Sequence, residues 1–182
     1  MRLTDDIQKI LYTEEEIQAR IREIGAELAQ AFDGRNPLVV GVLKGAAPFM
    51  ADLVRRMDIA LEMDYMIVSS YGKATKTSGV VKIIKDLDFE IGGRDVIIVE
   101  DIIDSGLTLK YLTDLLLRRA PRSLTIVTLL DKPHHRQVEL QPDIVGFEIP
   151  DEFVVGYGLD YAEKYRNLPF VGILKSKIYA GH

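Results

Sequence analysis

Short apolar runs alternate along the chain with stretches in which apolar residues return every three or four positions. Thr13-Glu14-Glu15-Glu16 has the form of a capping box, with Thr13 as N-cap and Glu16 three positions on. Ile17, Ile21, Ile24 and Leu28 follow at helical spacing, and Asp33-Gly34 ends the pattern. PLVVGVL (37–43) is the kind of short run that a strand buried on both faces requires. KGAA is the loop after it. Pro48 suits the first turn of a helix whose apolar face is Phe49, Leu53, Val54 and Met57.

Further along, LEMDYMIVSSY (61–71) alternates and predicts a strand, and SSYGKATKTSG (69–79) is small, polar and basic, hence a loop. VVKIIKDLDFEI (80–91) predicts another strand, closed by the turn signal Gly92-Gly93. DVIIVED (95–101) is the strongest buried-strand pattern in the chain. Leu109, Leu112, Leu115 and Leu116 then mark a helix ending near Pro121. SLTIVTLLDK (123–132), IVGFEI (144–149) and FVGIL (170–174) are further strands. Strands separated by helices need crossover connections, so an α/β fold is expected: a mainly parallel central sheet with helices on both faces. The 61–91 pair is expected as a small antiparallel flap added to it.

Ligands of such sheets sit beyond the carboxyl ends of the strands. VIIVEDIIDSGLTL (96–109) lies at that end of the best strand. Its turn into a helix, Asp104 to Thr108, offers unpaired backbone N–H groups at the positive end of a helix dipole. Gly106 permits close approach, and Ser105 and Thr108 add hydroxyls. This is a cradle for a terminal phosphate. Glu100 and Asp101 cannot share that role, because like charges repel. They suit sugar hydroxyls or a hydrated hard cation such as Mg²⁺. Together the two halves describe a site for a ribose 5-phosphate. Asp104-Ser105 as a plain N-cap, worth about 1 kcal/mol, is the bland alternative. The full apolar-E-D-x-x-D-S-G-x-T pattern outweighs it. Neither the Walker loop G-x-x-x-x-G-K-[ST] nor a G-x-G-x-x-G after a strand occurs.

Composition adds limits. The 182 residues suffice for one domain with a real core. No cysteine is present, so disulfide and thiolate chemistry are out, and an intracellular, cytoplasmic protein is expected. No apolar run reaches 18 residues and MRLTDDIQKI lacks a signal-peptide core, so neither a membrane span nor a secretion signal is expected. The net charge of −5 disfavours nucleic acid as a partner. A metal site at His134 and His135 lacks a third ligand, and DLDFEIGGRD fails the calcium-loop pattern.

The 96–109 stretch resembles the phosphoribosyl-pyrophosphate (PRPP) motif of type I phosphoribosyltransferases. LKG (43–45) resembles that family's pyrophosphate loop and SSYG (69–72) the start of its mobile lid. DK (131–132) and VGFEIPDEFVVGYGLDYAEKYRNLP (145–169) resemble the purine-binding segments of its hypoxanthine-guanine branch. The resemblance covers roughly residues 37–175 and implies a single phosphoribosyltransferase domain over 1–182. A lid would span about 69–80, and a purine-binding hood would come from the chain ends, chiefly 145–182. The implied activity is purine salvage. The phosphoribosyl group of PRPP passes to hypoxanthine or guanine, giving IMP or GMP and pyrophosphate.

On that resemblance Glu100 and Asp101 hold the ribose hydroxyls and help order Mg²⁺, and Asp104 is the general base for purine N7. Asp104, Ser105, Gly106, Leu107 and Thr108 bind the 5′-phosphate. Leu107 stands where some relatives carry lysine, which removes a charge but no backbone donor. Lys44 and Gly45 bind pyrophosphate with Arg166, and the peptide before Lys44 is often cis in the family. Lys132 donates to the purine O6, Phe153 stacks on the base, the backbone at Val154 reads its other edge, and Asp160 takes a second Mg²⁺ beside the base and pyrophosphate. Ser70 and Tyr71 belong to the lid. The partners implied are PRPP and a 6-oxopurine, with a homodimer or homotetramer as the assembly. A xanthine-preferring enzyme and a non-catalytic nucleotide-binding regulator on the same fold are the alternatives.

Overall fold

The first helix forms where its cap is strongest. In the computed structural model, which describes residues 2–70 and 81–180, Thr13 Oγ1 accepts from the Glu16 N–H at 3.2 Å, and the Glu16 carboxylate accepts from the Thr13 N–H at 2.8 Å. Helix α1 (Glu14–Phe32) then buries Ile17, Ile21, Ile24, Leu28 and Phe32 along one stripe. A strand not anticipated from the sequence, β1 (Ile7–Tyr12), precedes it. Residues 8–10 of β1 are all exposed and its pairing slips twice, so it carries no period-2 signal.

Six strands make the central sheet: β2 (Leu38–Leu43), β3 (Glu62–Ser70), β4 (Val81–Lys85), β5 (Asp95–Ile103), β6 (Ser123–Asp131) and β7 (Ile144–Glu148). Their order is β4-β3-β2-β5-β6-β7, and all pairs are parallel except β3–β4. Alternate residues of β2 and β5 face opposite sides. Val39, Ile97 and Val99 pack under α1 and α2 (Ala47–Val54). Leu38, Val40, Val96 and Ile98 pack under α3 (Leu107–Leu117) through Leu109, Leu112 and Leu116. Burial on both faces is why these strands read as unbroken apolar runs. No helix among the described residues is long and apolar enough to cross a membrane.

Two expectations need correction. The 80–91 strand stops at Lys85. Buried Asp64 accepts from the Asp88 N–H at 2.7 Å, which turns the chain off the sheet edge. The antiparallel β3–β4 pair is added at the edge of the sheet through β3, whose Glu62–Ile67 segment pairs in parallel with β2. FVGIL leaves the main sheet altogether. As β9 (Val171–Leu174) it lies antiparallel between β1 and the short β8 (Val154–Val155), in a three-stranded sheet built from both chain ends. The short helix α4 (Ser176–Tyr179) follows. Tyr165 donates to Asp6 at 2.8 Å, tying the N-terminal segment to that small sheet.

At the amino end of β5, away from the site, Asp95 is fully enclosed and accepts from Arg35 at 3.0 and 3.1 Å, from Arg122 and from Ser123. These donors, led by Arg122, hold its carboxyl down at about 2. The folded value lies below the unfolded one of about 3.9, so the cluster's contribution is fully present above pH 4 and is lost as pH falls toward 2. Asp95→Ala should cost about 3 kcal/mol in urea unfolding at pH 7, the low end for breaking a buried pair because both arginines are half-exposed. It should also flatten the acid limb of stability between pH 4 and 2.

Candidate active site

Parallel strands point their carboxyl ends the same way, so β2, β5 and β6 deliver their following loops to one edge. β2 ends at Lys44-Gly45, β5 carries Glu100 to Asp104, and β6 ends at Lys132. The Leu43–Lys44 peptide is cis. Gly45 has to be glycine, since a Cβ there would lie 1.7 Å from Asp101 Oδ2. A cavity of about 260 Å³ opens between these loops, lined by Gly45, Glu100, Asp101, Asp104, Ser105 and Thr108 among others.

The strand runs two residues further than the sequence pattern suggests, so Glu100 and Asp101 lie inside β5 rather than at its end. Glu100 is buried, and Asp101 lines the cavity half-buried. Enclosure pushes the Glu100 carboxyl well above its ordinary value, and the charge of Asp101 adds to this. Enclosure also pushes Asp101 up to about 6, against a hydrogen bond from the Ile102 N–H at 2.7 Å and the opposing charge of Arg166. Two enclosed acids side by side suit a hard cation or a pair of hydroxyl donors. Among the described residues no three acids or histidines gather into a protein-only metal cluster. A cation here would therefore complete its shell with ligand oxygens, the usual habit of Mg²⁺.

Gly106 adopts the left-handed φ of +81° and caps α3, which leaves the turn's N–H groups facing the cavity. Leu107 N–H reaches only Ser105 Oγ, at 3.4 Å. The turn is gripped by the segment after β6. Lys132 N–H donates to the Ile103 carbonyl and Gln137 N–H to that of Ser105, both at 2.9 Å. Arg136, paired with Asp131 at 2.5 Å, donates to the Asp104 carbonyl at 3.2 Å. Lys132 itself is 9% exposed. Its Nζ lies 3.9 Å from Asp104 Oδ2 and 3.7 Å from Asp151 Oδ1.

The carboxy-terminal residues come from a loop tied to the body by Tyr157, which donates to Asp52, itself held by Gln18 at 2.8 Å. Asp160 pairs with Arg166 at 3.0 Å. Glu163 bridges Lys44 at 2.8 Å and Arg166 at 3.2 Å, so one carboxylate spans the two cations expected at pyrophosphate. Phe153 is 39% exposed, with Tyr179 stacked on it at 4.9 Å. Val154 is buried in β8 against Ile173. Ser70 ends β3, while Tyr71 and the rest of 71–80 lie outside the described residues. Glu163, Asp151, Arg136 and Tyr179 were not singled out from the sequence. Each acquires its place only through contacts across loops. His135, set aside as a metal ligand, lies on Asp104 at 2.7 Å.

An open α/β sheet gathers a glycine-capped turn, enclosed acids and a lysine at its carboxyl edge, where sheets of this kind bind their ligands. The chain belongs to the phosphoribosyl transferase domain family, whose model matches residues 8–162. It is 60% identical over 174 residues to the hypoxanthine-guanine phosphoribosyltransferase of Bacillus subtilis, covering 96% of this chain and 97% of that one. It is 63% identical over 176 residues to the bifunctional protein TilS/HprT of Listeria monocytogenes, covering 97% of this chain, but it spans only 27% of that relative's length. The crystal structure of a hypoxanthine phosphoribosyltransferase from Staphylococcus aureus superposes with a TM-score of 0.95 at 51% identity, covering 97% of this chain and 96% of that one.

Gly45→Ala drives a methyl group into the Asp101 carboxylate. Overpacking of this kind should cost about 1–3 kcal/mol in chemical denaturation. Gly92→Ala, whose added Cβ would meet only the Arg119 carbonyl at an ordinary 3.6 Å, is the control for a surface glycine.

Proposed function

We propose that this chain, as a single phosphoribosyltransferase domain, transfers the 5-phosphoribosyl group of PRPP to hypoxanthine or guanine. The observation that carries this reading is the 3.9 Å between Lys132 Nζ and Asp104 Oδ2. N7 and O6 are neighbours on one edge of a 6-oxopurine. An acceptor and a donor side by side at the strand ends match an N7–H and an O6 side by side on the base. Lysine has donors only, so it serves a 6-oxo group and leaves the 6-amino group of adenine without a partner.

In this reading Ser105 to Thr108 take the 5′-phosphate, and Glu100 and Asp101 take the ribose hydroxyls. Lys44, Gly45 and Arg166 receive pyrophosphate once Glu163 has released its two cations. Phe153 supports the plane of the base and the Val154 backbone its far edge. Ser70 and Tyr71 belong to a lid that keeps water from PRPP. Mg²⁺, held by Glu100, Asp101 and Asp160 together with substrate oxygens, would neutralise the leaving pyrophosphate. The purine N9 attacks C1′ of the ribose, the C1′–O bond breaks with its electron pair leaving on pyrophosphate, and the N7 proton passes to Asp104.

Two measurements test this. Asp104→Asn should lower kcat about 100- to 10,000-fold, the range for a lost general base, with KM for PRPP changed less than threefold. Turnover near the parent level in a pyrophosphate-release assay would remove Asp104 from the chemistry. A panel of free bases with PRPP should give product from hypoxanthine and guanine and none from adenine. A preference for adenine would refute the role of Lys132, and a preference for xanthine would shift the substrate within the same class.

A further inference from the structure

We propose that His135, braced by Asp151, is the positioning residue for Asp104, a role that rests on the reading of Asp104 as the base. Asp104 stands on an exposed turn, and half of its side chain is open to solvent. A carboxylate there has two free torsions, and misplacing a reacting group by about 1 Å can cost about 100-fold in rate. His135 Nδ1 lies 2.7 Å from Asp104 Oδ1. On the other side of the ring, Nε2 lies 3.1 Å from Asp151 Oδ2. A carboxylate accepts and does not donate, so Nδ1–H donates to Asp104, and Nε2–H donates to Asp151 when the ring carries both hydrogens. The imidazole carrying both hydrogens is thus held at both ends, and with one it keeps the Nδ1–H bond to Asp104.

The sequence explains how the ring gets there. Pro133 opens a 3₁₀ turn over Pro133–His135, and His135 N–H donates back to the Lys132 carbonyl at 3.1 Å. That tight turn folds the side chain of His135 back over the end of β5. The backbone of the 104–106 turn is fixed by other groups, Arg136 on the Asp104 carbonyl and Gln137 on that of Ser105. What is left for His135 to fix is the carboxylate alone. By taking Oδ1 it leaves Oδ2, the oxygen beside Lys132, for the purine N7–H. Asp151 lies 3.7 Å from Lys132 as well, so the same acid steadies both members of the base-reading pair.

The experiment compares the full-length protein with His135→Ala, His135→Asn, His135→Gln, Asp151→Asn and Asp104→Asn, reading kcat, both KM values and Tm. His135→Ala should lower kcat about 10-fold, with KM for PRPP within twofold and Tm unmoved, because the lost contact matters only at the reacting centre. The amide nitrogen of asparagine falls where Nδ1 was, so His135→Asn should recover most of the loss. That of glutamine falls where Nε2 was, so His135→Gln should not. Asp151→Asn should fall between the parent and His135→Ala. Parent-like kcat in His135→Ala overturns the proposal, as does a loss that tracks Tm and is recovered by neither amide. If Asp104→Asn itself turns over normally, the assignment of Asp104 as base fails. If Asp104→Asn is dead while His135→Ala is fully active, only the positioning role fails.

Discussion

The molecule is organised around the enclosure of two acids at the end of its most buried strand. Glu100 and Asp101 sit in β5, whose preceding residues Val96 to Val99 are wholly sealed between helices. Enclosure raises both carboxyls, a cost to their charged forms that a cation or hydroxyl donors would relieve. Asp101 can approach the β2 loop only because residue 45 has no side chain. At the amino end of β5 Asp95 is equally enclosed, but it is matched by two arginines and a serine hydroxyl. One strand thus carries an acid paired with two cations at one end and two acids raised by enclosure at the other.

The second organising feature is the segment 132–137, which works as a strap over the 103–106 turn. Its contacts run in step: Lys132 with Ile103, His135 and Arg136 with Asp104, Gln137 with Ser105. The buried Arg136–Asp131 pair anchors the strap to the end of β6, so the 104–106 turn and Lys132 are positioned by one piece of chain. Two adjacent strands end together, and the strap fixes how their loops face each other.

How much of this was legible in the sequence follows from how local each signal is. The cap of α1, its apolar stripe and the runs of β2, β5 and β6 are written within a few residues of one another, and the structure has them within one or two positions. β1 was not legible, because its residues make no alternation and gain their order only from β9, 160 residues away. The early end of β4 depends on Asp64, more than twenty residues upstream, reaching the Asp88 N–H. At the site, the residue types around Asp104 were legible as chemistry. The partners that set their charge and direction were not. Glu163 was hidden because nothing in AEKYR says that its carboxylate lies across Lys44.

That bridge bears on how the site stays ordered. The three cations of the site already meet protein acids: Glu163 stands on Lys44 and Arg166, and Asp104 and Asp151 stand near Lys132. Under the proposed function these acids occupy the places of phosphate and purine oxygens. An unpaired buried cation is costly, and these internal pairs reduce that cost when no ligand is present. Binding then exchanges one set of contacts for another, so affinity depends on the difference between them rather than on the sum of the new ones. The Lys44–Glu163 pair is about two-thirds exposed and weak, whereas Lys132 is nearly enclosed. Under the proposed function, the exchange is accordingly easy at the pyrophosphate side and demanding at the base. There, a base without a 6-oxo group would displace the acids near Lys132 and return no acceptor.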